Sequence, residues 1–196
     1  DGAGARGVGT VREVKRGQLE IDVSEWLLVE PQSPRLVVFQ AFAKGGRDEA
    51  AVESMTEVGV DEVVGWSASR SVAKWTDRTQ AKWQSTAEAA AKQARRSWWP
   101  VVTGPVTTAE VATRVVGAGV AIVLHEAATG TLADIEPVAA GEVLVVVGPE
   151  GGIADDELAQ LVEAGACPVR LGSTVLRSST AGVAALSAIC ARTRWS

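Results

Sequence analysis

The chain has 196 residues, 46% of them hydrophobic, which suffices for one sizeable core or for one domain with an additional fragment. Its formal net charge of −5, taken over the whole chain, argues against a nucleic acid partner. No apolar run approaches the roughly 20 residues of a membrane helix, so we expect no membrane contact. Cys167 and Cys190 form neither a metal motif nor a disulfide framework, so we expect no metal site and a cytoplasmic location.

The first 30 residues contain two short alternating segments, residues 10–14 and 19–23, joined at Arg16-Gly17. This pattern predicts a β-hairpin. A lone hairpin is marginal in water, so its strands either belong to a larger sheet or pack on the main domain.

After a proline-rich linker at residues 31–34, apolar segments of strand and helix period alternate. Gly59 is a predicted helix C-cap, and Thr108 is the predicted cap of the third helix. The alternation predicts an α/β domain with a parallel sheet. The predicted strands are 36–42, 62–66 and 119–124, and the predicted helices are 48–58, 81–97 and 107–117.

The charge is distributed unevenly. Residues 70–96 contain seven basic side chains against two acidic ones, together with tryptophans. Proteins that bind RNA contact phosphates with arginines and stack bases on aromatic rings. A solvated basic face with tryptophans in the core is the alternative. We expect Trp83 and Trp98 in the core and predict RNA contacts for Arg70, Arg78, Arg95 and Arg96.

The most informative stretch is 143–186. A predicted buried strand, 143–147, leads into GPEGG at residues 148–152, whose glycines let a backbone approach a ligand closely. A predicted helix at 154–164 opens with Asp155, Asp156 and Glu157, where carboxylates suit the helix dipole. A short strand at 167–171, a loop at 172–179 and a last helix at 180–192 follow.

Two loops therefore follow strand ends, where ligands bind in open parallel sheets. Glu150 disfavours a phosphate ligand, so a neutral or cationic ligand fits the glycine loop better, unless Glu150 caps its own loop. No GxxxxGK[ST] or GxGxxG motif is present. His125, the only histidine, has no catalytic or metal partners in the sequence, and its place at a strand end indicates a binding loop.

GPEGG followed by LGSTVLRSSTA resembles the C-terminal signature of the RsmE family of 16S ribosomal RNA uridine-N3 methyltransferases, in the SPOUT superfamily. The segment AKWQSTAEAAAKQARRSWWP also resembles a helix of that family. The resemblance implies a SPOUT domain at 36–196 with a parallel sheet and a C-terminal trefoil knot. It implies that residues 1–30 are the end of a PUA-like RNA-binding β-barrel. The family often has a glutamate where this chain has Ser179.

The resemblance also implies S-adenosylmethionine as the cofactor, 16S ribosomal RNA in the small ribosomal subunit as the partner, and a homodimer. The last helix offers apolar positions for a dimer, including Val183, Leu186 and Ile189. Lys44 matches a lysine of the family and is a predicted RNA contact, with a solvated lysine as the alternative. The implied cofactor-binding residues are Leu124, His125, Glu126, Gly148, Pro149, Glu150, Gly151, Gly152, Leu171, Gly172, Ser173, Val175 and Leu176.

Arg177 is the predicted catalytic residue. Uridine N3 becomes a good nucleophile only after it loses its imide proton, and a cation can stabilise the resulting charge. The alternative is a salt bridge from Arg177 to Glu150 or Glu126, and no side chain is an evident general base. Two rival functions remain open: a SPOUT ribose 2′-O-methyltransferase acting on transfer RNA, and a non-catalytic RNA-binding module.

Overall fold

The computed structural model describes residues 2–195, so Asp1 and Ser196, the outer limits of the two expected domains, lie outside it. A two-stranded antiparallel hairpin precedes a six-stranded parallel sheet. The strands are β1 Ala5–Lys15, β2 Gln18–Leu28, β3 Arg35–Ala41, β4 Glu62–Trp66, β5 Val101–Val106, β6 Val120–Leu124, β7 Glu142–Val147 and β8 Cys167–Val169. The helices are α1 Arg47–Val58, α2 Asp77–Gln93, α3 Thr108–Val116, α4 Asp155–Glu163 and α5 Ser178–Thr193.

The sheet has the order β5-β4-β3-β7-β6-β8, and every pair in it is parallel. Its two central strands, β3 and β7, are apolar almost throughout because both sheet faces are covered. Leu36 faces a core shared with α1, α2 and α5, whereas Val37 faces a core shared with α3 and α4. The predicted α/β class with a parallel sheet is confirmed.

Two predicted helix boundaries are wrong because side-chain caps set them. Helix α2 begins at Asp77 rather than residue 81, since the Thr76 hydroxyl accepts from the Thr79 amide. Helix α3 is capped by Thr107, not Thr108, and Glu110 completes a capping box.

The helix and strand ends near the C-terminus also differ from the prediction. Strand β8 ends at Val169 rather than residue 171, and α5 begins at Ser178 rather than residue 180. Cys190 is buried on α5.

The hairpin is longer than predicted and stands apart from the main sheet. Its pairing places one set of apolar side chains on the same face, and they are between 42% and 75% exposed. That set comprises Val11, Val14, Leu19, Ile21, Val23, Trp26 and Leu28.

Contacts next to the hairpin link the N-terminal segment to the end of α2. The Gly4 amide donates to the Ser97 carbonyl, and Trp98 Nε1 donates to the Val29 carbonyl at 2.7 Å. Trp98 is therefore half-buried against the N-terminal segment, and the prediction that it lies in the core is wrong. Trp83 is fully buried, as predicted.

An ion network fixes the amino ends of the central strands. The buried carboxylate of Glu62 accepts from both terminal guanidinium nitrogens of Arg114 and from Arg35. Glu142 binds the same two arginines. Burial alone would raise the pKa of Glu62, but the hydrogen bonds and charge of Arg114 and Arg35 lower it overall. This network lies at the edge of the sheet opposite the two loops.

Candidate cofactor and RNA site

A cleft of about 440 Å³ lies at the carboxyl edge of the sheet. Because all six strands are parallel, the loops after β6, β7 and β8 meet at this edge. A smaller recess of about 80 Å³ shares Leu124, Glu126 and Leu176 with the cleft. The cleft is in the size range of small-molecule sites.

The glycine loop after β7 turns tightly at one wall of the cleft. The Gly152 amide donates to the Pro149 carbonyl at 2.9 Å, and Gly152 has a φ of 73°, which favours glycine. A side chain at Gly148 would meet Ile153 at 2.7 Å, so glycine is needed for the close approach. The loop thus presents backbone rather than side chains to much of the cleft.

Glu157 holds the base of this wall. The sequence predicted a role at the helix dipole, but its carboxylate is buried and accepts from three groups that lie far from α4 along the chain. These are the Ser69 amide at 2.9 Å, the Ser69 hydroxyl at 2.8 Å and the Thr108 hydroxyl at 2.7 Å. Glu157 therefore ties the loop after β4 to the start of α4, and Arg70 next to Ser69 donates to the Gly151 carbonyl at 3.3 Å.

Arg47 is a cleft residue that the sequence analysis missed. It begins α1, lines the cleft and forms an ion pair with Glu150 at 3.3 Å. This pair, rather than a cap within the glycine loop, is the side-chain contact that the structure shows for Glu150. The sequence signal was the Gly45-Gly46 turn after β3, whose carboxyl end lies at the same edge.

Arg177 is exposed, lines the cleft and forms no ion pair with any residue between 2 and 195. The alternative prediction, a salt bridge to Glu150 or Glu126, is therefore wrong. Arg177 occupies the N-cap position of α5, and its side chain does not cap that helix. The guanidinium and the helix start together favour a negative charge in this part of the cleft.

His125 lies in the recess as part of a backbone turn. Its Nδ1 accepts from the Ala127 amide at 3.2 Å, and its own amide donates to the Val169 carbonyl. The histidine therefore shapes the loop after β6, and the contacts described for it include no acid or metal-ligand partner.

Most of the predicted cofactor-binding residues line the cleft or the recess. Three do not: Gly151 lies against Arg70, and Gly172 and Ser173 lie outside both linings. The predicted residues that do line them are Leu124, His125, Glu126, Gly148, Pro149, Glu150, Gly152, Leu171, Val175 and Leu176. The residues that sequence reasoning missed include Arg47, Ile153, Thr174, Ser178 and Ala181.

The predicted RNA contacts divide into two groups. Lys44, Arg70, Arg78 and Arg95 are exposed. The Arg96 side chain is only 14% exposed, and its guanidinium donates to two backbone carbonyls and pairs with Asp61. Burial lowers its pKa. Arg96 thus ties the end of α2 to the amino edge of the sheet, and we correct its assignment as an RNA contact.

Two of the apolar positions predicted for a dimer on α5 are covered by the chain's own core, whereas Val183 is only half-buried. Leu186 is fully buried and Ile189 is 8% exposed.

Among the described helices, none combines the length and apolar character needed to cross a bilayer. Across residues 2–195 there is also no group of His, Cys, Asp and Glu side chains able to hold a metal ion.

The fold and the cleft are those of a known class of enzyme domain. Residues 30–190 match the family described as RNA methyltransferase domain. Ribosomal RNA small subunit methyltransferase E of Mycobacterium bovis is 44% identical over 204 residues, covering 100% of this chain and 78% of that protein. The chain belongs to the ribosomal RNA small subunit methyltransferase E family. The resemblance noted in the sequence is thereby confirmed.

Solved structures agree with this membership. A Legionella pneumophila protein, described as a methyltransferase in complex with bound SAM, matches with a TM-score of 0.86 at 28% identity, over 98% of this chain and 81% of that one. Ribosomal RNA small subunit methyltransferase E from Neisseria gonorrhoeae, bound to S-adenosyl methionine, matches with a TM-score of 0.89 over 98% of this chain and 81% of that one. At 24% identity, the second match supports the fold alone.

Proposed function

We propose that this protein uses S-adenosylmethionine to methylate N3 of a specific uridine in the 16S ribosomal RNA of the small ribosomal subunit. The observation that carries the proposal is the cleft that brings the GPEGG loop and Arg177 together at the carboxyl edge of the sheet. Membership of the family supports the reaction class and the RNA substrate.

The cleft fits the cofactor in size and in chemistry. Leu124, Leu176 and Ala181 offer apolar contact for a flat base, and the glycine loop offers backbone groups. The carboxylates of Glu126 and Glu150 suit a ligand that carries a sulfonium and an ammonium group. When bound, S-adenosylmethionine supplies an activated methyl group.

Arg177 acts on the uridine in this proposal. As N3 loses its proton, negative charge spreads to the neighbouring carbonyl oxygens of the ring. The Arg177 guanidinium lines the cleft and forms no ion pair within residues 2–195, so it is available to donate to one of these oxygens. Ser179 does not supply the carboxylate that the family often has there, so this chain's reaction relies on other groups.

Four exposed cations, Lys44, Arg70, Arg78 and Arg95, are the proposed phosphate contacts. We also propose that residues 1–30 form the end of a PUA-like barrel, because the apolar hairpin face is exposed as a larger barrel would require. The SPOUT domain then spans 36–196 and contains the trefoil knot. Family resemblance, rather than burial on α5, supports the homodimer, and a cytoplasmic location stays a prediction.

The test incubates the purified chain with S-adenosylmethionine and small ribosomal subunits that lack the modification. Digestion to nucleosides and mass spectrometry should find 3-methyluridine, whereas new 2′-O-methylated nucleosides in a parallel incubation with transfer RNA would support the ribose methyltransferase. Calorimetric titration with S-adenosylmethionine tests the other rival, a non-catalytic RNA-binding module. If the protein does not bind S-adenosylmethionine, this rival is favoured.

A further inference from the structure

Ser178 carries a buried hydroxyl with no partner. It is the first residue of α5, lines the cleft and is only 7% exposed. Its Oγ is buried and finds no hydrogen-bond partner in the structure of residues 2–195. Ser187 on the same helix shows the ordinary arrangement, in which the hydroxyl donates to the Val183 carbonyl at 2.8 Å. A buried unpaired hydroxyl destabilises the fold, so its place in the cleft points to a ligand.

The backbone around Ser178 has open donors as well. The Thr180 and Ala181 amides donate to the Arg177 carbonyl, each at 2.9 Å. The amides of Ser178 and Ser179 precede the first intrahelical bond, and no side chain within the described chain accepts from them. A hydroxyl, two amides and the Arg177 guanidinium are therefore grouped where α5 meets the cleft, and all four are donors.

We propose that the Ser178 hydroxyl, with the first-turn amides of α5 and Arg177, binds the uracil carbonyl oxygen that becomes negative when N3 loses its proton. This inference rests on the proposed function. N3 gives its proton to water, and the electron pair left on N3 forms the bond to the methyl carbon. The methyl–sulfur bond breaks with its electrons kept on sulfur, so a cation and an anion yield neutral products.

The charge in the cleft favours this occupant over a phosphate group. Glu150 is paired with Arg47, but Glu126 lines the same cleft with no ion pair among residues 2–195, and its carboxylate repels a permanent anion. The uracil anion carries a single negative charge spread over its ring, so neutral hydrogen-bond donors can stabilise it more easily than they can stabilise a phosphate group. Hydrogen bonds to a charged form lower its pKa, so Ser178 should ease the loss of the N3 proton at neutral pH.

The test measures single-turnover methyl transfer at saturating S-adenosylmethionine from neutral to alkaline pH. We expect Ser178→Ala to slow transfer roughly 10²-fold at neutral pH, the lower end of the usual effect of removing one such donor. The deficit should narrow as pH rises, because the uridine then ionises without help. Cofactor affinity should stay at the wild-type value, and the thermal midpoint should not fall, because the variant removes a buried hydroxyl that has no partner.

Two variants serve as controls. Ser187→Ala removes a satisfied hydroxyl from the same helix and should leave the rate unchanged. Ser178→Thr keeps the hydroxyl and should restore most of the rate, which a purely structural role would not predict.

Four outcomes overturn the inference. An unchanged rate in Ser178→Ala, or a deficit that is the same at every pH, shows that the hydroxyl does not contact the uracil anion. A weakened affinity for S-adenosylmethionine with a normal rate at saturation shows that it contacts the cofactor carboxylate instead. If the wild-type protein transfers no methyl group to RNA, the proposed function fails, and this inference fails with it.

Discussion

Replacing Glu157 by glutamine tests whether this buried carboxylate holds the wall of the cleft. Oε1 accepts from the Ser69 amide and the Thr108 hydroxyl, and Oε2 accepts from the Ser69 hydroxyl and, at 3.4 Å, from the Ala154 amide. Glutamine puts an NH₂ group in place of one oxygen, so at least two donors lose their acceptor.

The magnitude follows from those contacts. A hydrogen bond to a charged group contributes about 1.5–3 kcal/mol, so two lost bonds would cost roughly 3–6 kcal/mol. The Ser69 hydroxyl can rotate to accept from the new NH₂ group, which recovers about 1 kcal/mol, the value of a neutral bond. We therefore expect Glu157→Gln to lower the free energy of unfolding by roughly 2–5 kcal/mol.

Urea unfolding followed by tryptophan fluorescence gives this number from the midpoint at unchanged slope. The matched control is Asp156→Asn, an exposed carboxylate in the same helical turn, which should change stability by less than about 1 kcal/mol. We also expect weaker binding of S-adenosylmethionine, since Glu157 positions the start of α4 after the glycine loop. If Glu157→Gln is as stable as Asp156→Asn, the buried carboxylate does not hold the wall of the cleft.

The other predictions concern single side chains and assembly. Arg177→Ala should keep the fold and cofactor affinity and lower the methylation rate roughly 10²- to 10³-fold, with little rescue by lysine; loss of folding would contradict the catalytic role. Arg95→Ala should reduce the slope of log affinity for RNA against log salt by about 1, whereas Arg96→Ala should lower the urea midpoint instead. Because the pKa of Glu62 is lowered in the folded state, its carboxylate stabilises the fold above the ordinary value of 4.5, and this stability is lost as pH falls through the folded-state pKa. In urea titrations from pH 7 to about pH 3, the free energy of unfolding of Glu62→Gln should therefore fall less steeply than that of the wild type. Light scattering at micromolar concentration should give the mass of a dimer, and a monomer mass would count against it.

Local patterns determined the main sheet and the position of the cleft. The apolar runs of β3, β4 and β7 are readable because a strand buried on both faces needs apolar residues at nearly every position. The glycine loop is readable because its conformation needs glycine whatever surrounds it. Because parallel strands end at the same edge of a sheet, the sequence alone predicts that GPEGG and Arg177 lie near each other.

Contacts between distant segments decided the roles of individual side chains. Arg47 and Glu150 are 103 residues apart, and Ser69 and Glu157 are 88 residues apart, so no local pattern pairs them. In the sequence, Arg96 has the same appearance as Arg95, and only the packing of α2 against residues 56–61 buries one and leaves the other exposed. Charge and hydrogen-bonding capacity are written in the sequence, but the fold alone determines which of these groups finds a partner and which remains available to a ligand.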